Sequence, residues 1–239
     1  MSEVDAIPVA VCPHDSARAL PLWLELMVVL GNLSGHDLNL VTTADFEEFY
    51  AAWDRARLVY ANPLDALKLD GRGFLPIAQS PKSDEVVFVV AEGVEPTLAS
   101  FAGQPLACVE GQFASFLGQD LLKKAGFVPG EIVCLPSWSE VLNALRGGRL
   151  KHGLLYKDFY ESLSPVSLEG VRVVEVSNDG RFGHLWMLHP ELRAIADDLK
   201  AALAKLPEHP MGQLVQADLG FGPWKLEPDL APLKALVQS

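Results

Sequence analysis

The sequence predicts an α/β fold of two lobes, and three observations lead there. Short runs rich in Val, Leu and Ile recur along the 239 residues with helical stretches between them. Those runs are continuous rather than alternating, which is the pattern of strands buried on both faces between helix layers. A turn-rich, hydrophilic piece, Ala91–Gln104, separates two strand-helix series of similar style and reads as a crossover between lobes.

The elements follow in order. Ile7–Cys12 is the opening strand, and Ser16 stands before the helical stretch Ala17–Leu30, which Gly31 ends. Leu38–Val41 reads as strand, Thr43 precedes the helix Ala44–Trp53, and Leu58–Ala61 is again strand. Asn62-Pro63 then opens a helix over Leu64–Leu69, the asparagine as cap and the proline where a missing N–H costs nothing. Val86–Ala91 leads into the crossover. Leu106–Val109, a helical stretch stopped by Gly126, Ile132–Leu135, a helix over Trp138–Leu145 capped by Ser137 and stopped by Gly147-Gly148, Gly153–Tyr156 and Val171–Val176 make the second series. His184–Leu188 is the last clear strand, and Pro190 opens a helix over Glu191–Lys205 before a tail rich in Gly and Pro. The expected division is residues 1–91 for the first part of lobe 1, 92–184 for lobe 2, and 185–239 for the return to lobe 1. The long connections suit right-handed crossovers, so mixed, mainly parallel sheets are expected.

Composition narrows the function classes. With 31 acidic against 19 basic side chains the net charge is −12, the wrong sign for a protein that must neutralise phosphates of a nucleic acid. The apolar stretch Leu20–Leu30 is broken by Pro21 and Glu25 and falls short of the roughly 20 residues a bilayer span needs. Glu3 and Asp5 stand where an export signal would be basic, so the sequence as written reads as cytoplasmic, and as periplasmic if an export signal was removed ahead of it. Cys12, Cys108 and Cys134 each lie in an apolar run and are expected to be buried, reduced thiols.

No phosphate-binding loop, dinucleotide fingerprint, nucleophile elbow, zinc-protease helix or paired-cysteine motif is present, so no cofactor and no catalytic residue is expected. The Gly180–Gly183 and Gly220–Pro223 clusters read as turns. The residues that stand out lie at strand ends next to helix starts, where side chains and unpaired amides converge. Cys12-Pro13-His14-Asp15-Ser16 follows the first strand and offers His14 and Ser16 to a polar ligand. Its Cys12 and His14 have no second donor pair at the usual spacing, and no metal site is expected. Tyr60 and Asn62 end the third strand. Glu110-Gly111-Gln112-Phe113-Ala114-Ser115 offers Gln112, Ser115 and helix-start amides in the second lobe. Tyr156 and Asp158 follow a strand of the same lobe. Each of these has a plainer reading as cap, solvated loop or packing residue. His36 and His209 read as surface residues, and His184 and His189 flank a strand with no partner evident in the sequence.

With these residues in hand the chain resembles the substrate-binding component of phosphonate-, phosphite- and phosphate-type ABC transporters, in the type II periplasmic binding protein superfamily. The resemblance is carried by VAVCPHDSA, LVYANPLDALKL, VVFVVAEGVEPTLASFAGQPLACVEG, LLKKAGFVPGEIVCLPSWSEVLNALRGGRLKHGLLY, HPELRAIADDLKAALAKL and MGQLVQADLGFGPW, and spans nearly the whole chain. It implies a small oxyanion held in a cleft between two lobes that close over it, for transport or sensing. The implied partners are an ABC transporter permease or a signalling protein. The family's Ser/Thr-rich anion turn corresponds here to Glu110–Ser115, where only Gln112 and Ser115 are polar side chains after Gly111. Two alternatives stay open: a cytosolic enzyme of the menaquinone-biosynthesis type on the same fold, suggested by the Cys-Pro-polar-Asp turn, with His14 or Asp15 as general base, and an orphan sensory module.

Overall fold

The structure, a computed structural model, describes residues 6–238. In chain order the elements are β1 (Ile7–Val11), α1 (Pro13–Ser34), β2 (Leu38–Val41), α2 (Phe46–Ala52), β3 (Leu58–Ala61), α3 (Pro63–Gly71), β4 (Leu75–Gln79), β5 (Val86–Ala91), β6 (Leu106–Val109), α4 (Phe113–Lys124), β7 (Ile132–Leu135), α5 (Trp138–Arg146), β8 (His152–Tyr156), α6 (Lys157–Glu161), β9 (Val171–Val176), β10 (Leu185–Leu188), α7 (Ala196–Lys205), α8 (Pro210–Asp218), β11 (Lys225–Leu226) and α9 (Ala231–Gln238). The chain divides into a first unit of residues 1–83 and 181–239 and a second of 84–180.

The first unit is built on a six-stranded sheet in the order β11-β4-β10-β3-β1-β2. Alternate residues of a strand face opposite ways, so Val9, Val11, Leu58, Tyr60, Trp186 and Leu188 share one face. That face packs with Trp23 and Leu26 of α1, Leu199 and Leu203 of α7 and Val215 of α8 into one buried core. Burying each such large side chain contributes on the order of 1.5–3 kcal/mol. Helix α1 starts at Pro13, earlier than Ser16 suggests, and carries a non-helical residue at Ala19 (φ −136°). Pro21 explains the break: its ring clashes with the preceding turn and it has no N–H to donate. The helix also runs through Gly31 to a left-handed Gly35 (φ 75°). Helix α2 is capped by Asp45, whose side chain accepts the Glu48 amide, rather than by Thr43.

The second unit is a five-stranded sheet in the order β7-β6-β8-β5-β9, with α4 and α5 packed on it. Strand β5 is buried along its whole length at an interior position. It was expected in the first lobe, but its partners are β8 and β9, so the boundary falls before Asp84 instead of after Ala91. The return boundary falls likewise at Arg181, ahead of His184.

Both sheets are mixed, and parallel pairing does not dominate. β1 pairs β2 and β3 in parallel and β6 pairs β7 and β8 in parallel. β10 runs antiparallel to β3 and β4, β11 to β4, and β5 to β8 and β9. The reason is the chain path: β5 and β10 each enter their sheet at the end where the parallel strands finish, so each runs the opposite way. Cys134 departs from expectation too, being exposed on the edge strand β7, whereas Cys12 and Cys108 are buried.

Candidate functional site

In the first unit, pairing of Val11 with Tyr60 and of Trp186 with Tyr60 puts the end of β1, the end of β3 and the start of β10 at one edge of the sheet. The residues singled out on the first loops meet there. Cys12 closes β1 by donating its N–H to the Tyr60 carbonyl at 2.9 Å, and its own carbonyl accepts the amides of Asp15 (3.0 Å) and Ser16 (3.1 Å). That turn launches α1. Ser16 is buried, and its hydroxyl has no hydrogen-bond partner among the described residues. His14 packs its ring edge-on against Phe46 of α2, with centroids 4.8 Å apart.

Tyr60 is 1% exposed. Its ring lies 5.0 Å from Trp23, 4.9 Å from Trp186 and 5.9 Å from Phe221, which makes it the centre of an aromatic cluster. Asn62 is buried and largely committed to its helix. Its Oδ1 accepts the amides of Leu64 (3.0 Å) and Asp65 (3.2 Å), while its Nδ2 donates to Asp65 Oδ2 at 2.7 Å. Asp65 also takes the Lys68 ammonium at 2.8 Å and the Tyr50 hydroxyl at 3.3 Å. Burial nevertheless wins over these partners and raises the Asp65 pKa above its ordinary value.

Sequence reasoning missed His184. Its ring stacks on Tyr60 at 5.1 Å and 27°, and its Nε2 lies 3.2 Å from Asp15 Oδ2. Burial pushes the Cys12 thiol up to about 11, against the lowering effect of a hydrogen bond with His184. Cys12, Asp15 and His184 therefore form one group, whereas the sequence pairs Cys12 with His14. No local signal reveals this, because only the β1-β3-β10 order brings the start of β10 beside the end of β1.

In the second unit, β6 and β8 run parallel from Leu106↔His152, and Val86 of β5 lies opposite Tyr156. This sets the β6-α4 turn, the β8-α6 turn and the start of β5 at one edge. Gly111 takes a left-handed conformation (φ 71°), which a side chain would oppose, and turns the chain into α4. Gln112, at the N-cap, is 3% exposed and makes no side-chain cap. Ser115 is buried in the first helical turn, its Oγ accepting the Val109 amide at 3.1 Å. Glu110 is exposed to solvent. The first-turn amides of a helix have no intrahelical acceptor, and the aligned peptide dipoles favour an anion there.

The Tyr156 hydroxyl lies 3.5 Å from Asp84 Oδ1 and 3.2 Å from Asp158 Oδ2, so two carboxylates converge on one phenol. Beside them is a second group absent from the sequence reading. Glu85, 2% exposed, accepts the hydroxyl of Ser177 and the amides of Asp179 (3.0 Å) and Gly180 (2.8 Å). The Ser177 hydroxyl in turn accepts the Val86 amide at 2.9 Å. Asp84-Glu85 at the start of a fully apolar strand was the available sequence signal.

Among the described residues no helix is long and apolar enough to cross a membrane. No curated protein sequence matches the chain. Its fold is similar to that of PhnD1 from Prochlorococcus marinus in complex with methylphosphonate, with 13% identity, 98% of this chain and 97% of that chain covered, and a TM-score of 0.80. It is similar to a binding protein component of an ABC phosphonate transporter from Pseudomonas aeruginosa, with 13% identity, coverage of 97% and 85%, and a TM-score of 0.79. The alkanesulfonate-binding protein SsuA from Xanthomonas axonopodis pv. citri bound to MOPS matches with 16% identity, coverage of 99% and 91%, and a TM-score of 0.68. These likenesses place the chain in the type II periplasmic binding protein fold. Residues 9–226 match the family described as ABC transporter, phosphonate, periplasmic substrate-binding protein. The enzyme alternative thereby loses its footing, since the matching family binds solutes rather than converting them, and the chain belongs to the periplasmic substrate-binding proteins of phosphonate ABC transporters.

Proposed function

We propose that this protein captures a small tetrahedral oxyanion of the phosphonate class in the periplasm and presents it to the permease of an ABC transporter. The observation that carries the ligand class is the α4 turn of the second unit. There a left-handed Gly111 lets the backbone approach closely, the first-turn amides point outward from a twelve-residue helix, and Gln112 and Ser115 are buried in the same turn. Such an arrangement favours a compact, doubly charged group. The Ser115 oxygen accepts the Val109 amide and its hydroxyl lies against the Cys108 thiol; sulfur is a weak acceptor, so that hydrogen can turn to a ligand oxygen.

Tyr156 and Asp158 set the polarity of the neighbouring turn. With Asp84 also on the Tyr156 hydroxyl, that corner repels negative charge, so the acid end of the solute belongs at α4 and its organic substituent toward Tyr156. In the first unit His14 and Ser16 are the proposed contacts, while Tyr60 and Asn62 act by holding the strand ends that present them.

A thermal-shift screen with methylphosphonate, phosphate, phosphite, sulfate and methanesulfonate at fixed ionic strength tests this reading. A ligand at about 100 times its Kd stabilises the native state by about 2.7 kcal/mol. A selective rise with phosphonates is expected. A rise with sulfonates alone assigns the site to the other oxyanion class, and an unmoved melting curve with every oxyanion overturns the proposal.

A further inference from the structure

We propose that Cys12, Asp15 and His184 form a cation site in the first unit that takes a borderline-soft divalent ion, Zn²⁺ in particular. One sulfur, one carboxylate oxygen and one imidazole nitrogen of these residues lie within 4.8 Å of one another. Thiolate, imidazole and carboxylate are the donors that zinc prefers. With bonds of about 2.0–2.3 Å, donors around a tetrahedral ion stand roughly 3.3–3.8 Å apart. The His184–Asp15 separation of 3.2 Å is already close to this, and the sulfur needs a side-chain adjustment of at most about 1 Å.

The donors are held before any ion arrives. Cys12 is fixed by its amide bond to Tyr60 and by the two amides that its carbonyl accepts. The backbone of His184 is fixed by the Ser80 amide, which donates to its carbonyl at 2.7 Å, and its ring plane by the face of Tyr60. Cys12 is fully buried and His184 is 3% exposed, which shields the ligand set from bulk water on the protein side. Asp15 is the more accessible member and marks the way in, its side chain being 19% exposed. Ser16 adds to the same turn a buried hydroxyl without a partner among the described residues, suited to a water on the ion's open fourth position.

The same three side chains resemble a nucleophilic thiol with its base and orienting acid. The thiol, however, is wholly buried, whereas a nucleophile must be reachable by its substrate. A cation that displaces the thiol proton is the chemistry that suits a buried Cys beside an imidazole and a carboxylate.

The test uses untagged, chelator-treated protein with Cys108→Ala and Cys134→Ala, so that Cys12 is the one thiol present. Phosphate and other oxyanions are left out, which separates the outcome from that of the transport reading. Co²⁺ serves as probe because thiolate ligation gives a near-ultraviolet charge-transfer band, and Zn²⁺ is then added in competition. One equivalent of Co²⁺ should raise the band and one equivalent of Zn²⁺ should abolish it. Cys12→Ser should remove the band, and His184→Gln and Asp15→Asn should each weaken Co²⁺ binding by at least about tenfold. Circular dichroism of each metal-free variant checks its fold. Asp15→Asn, at the most exposed position, keeps the test decisive if the buried variants unfold. Absence of the band in folded parent protein at stoichiometric Co²⁺, or an affinity unchanged in folded Asp15→Asn, overturns the proposal.

Discussion

Glu85 and Ser177 lie ninety-two residues apart in sequence and share a buried hydrogen bond in which the serine hydroxyl donates to the carboxylate. The pair joins the start of β5 to the end of β9, the two places where the chain enters and leaves the second unit. With the Asp179 and Gly180 amides on the same carboxylate, three donors rest on one acceptor group. Glu85→Gln replaces one acceptor oxygen by a donor amide that faces them. A loss of about 1.5–3 kcal/mol in unfolding free energy is expected, measured by urea denaturation, and Ser177→Ala should cost a comparable amount, because it removes the hydroxyl donor to Glu85 and leaves the buried Val86 amide without its acceptor.

A second expected outcome concerns pH. His152 on β8 is buried against the Phe101 ring, and neither ring nitrogen has a partner among the described residues. Burial foremost, then the Lys151 charge, lowers its pKa below the ordinary 6.5. Protonation therefore favours the unfolded chain. The stabilising contribution is complete above the unfolded value, declines as pH falls below it, and levels off once the folded value is passed. Urea titrations between about pH 8 and about pH 5 should show this decline, and His152→Phe should flatten that part of the profile.

The Asn62 cap separates chemistry from shape. Asn62→Ser keeps an oxygen for the α3 amides but loses the Nδ2 donor to Asp65, and should cost about 1–3 kcal/mol. Asn62→Asp keeps the oxygen as well, but sets a second carboxylate against Asp65 Oδ2, where the amide now donates at 2.7 Å. The aspartate variant should be clearly the less stable of the two, by thermal melting at neutral pH.

Gly183 is packed backbone to backbone. A Cβ there would meet the Lys82 carbonyl oxygen at 2.2 Å and that of Ser80 at 2.9 Å. Neither is a flexible side-chain end, so the chain itself must shift. Gly183→Ala should destabilise the first unit by about 1–3 kcal/mol, read from the denaturation midpoint.

Much of the fold was legible because the strands are continuous apolar runs. Leu38–Val41, Leu58–Ala61, Val86–Ala91, Leu106–Val109, Ile132–Leu135 and Val171–Val176 appear with the expected bounds. β4 was missed because Pro76 and Gln79 dilute its apolar pattern, and β11 because two residues carry no periodicity. The capping roles of Asn62 and Ser137 were readable from local chemistry. At the α1 start the sequence points to Ser16, but Pro13 opens the helix three residues earlier. Non-local relations were not readable. β5 looks the same in either unit until β8 and β9 claim it, and nothing near Cys12 announces His184. Tyr60, expected to offer its hydroxyl, is enclosed by aromatic rings that arrive from α1, β10 and the segment after α8.

The most direct measurement is calorimetric titration of methylphosphonate into the purified protein, alongside Ser115→Ala and Gln112→Ala. Saturable binding at one site per chain is expected. Loss of the Ser115 hydroxyl should weaken it by about tenfold, as for one hydrogen bond to a charged group, and should also lower the melting temperature without ligand, because the buried Val109 amide loses its acceptor. Binding that is equally tight in both variants, or no heat of binding in folded protein, would contradict the assignment of an oxyanion to the α4 turn.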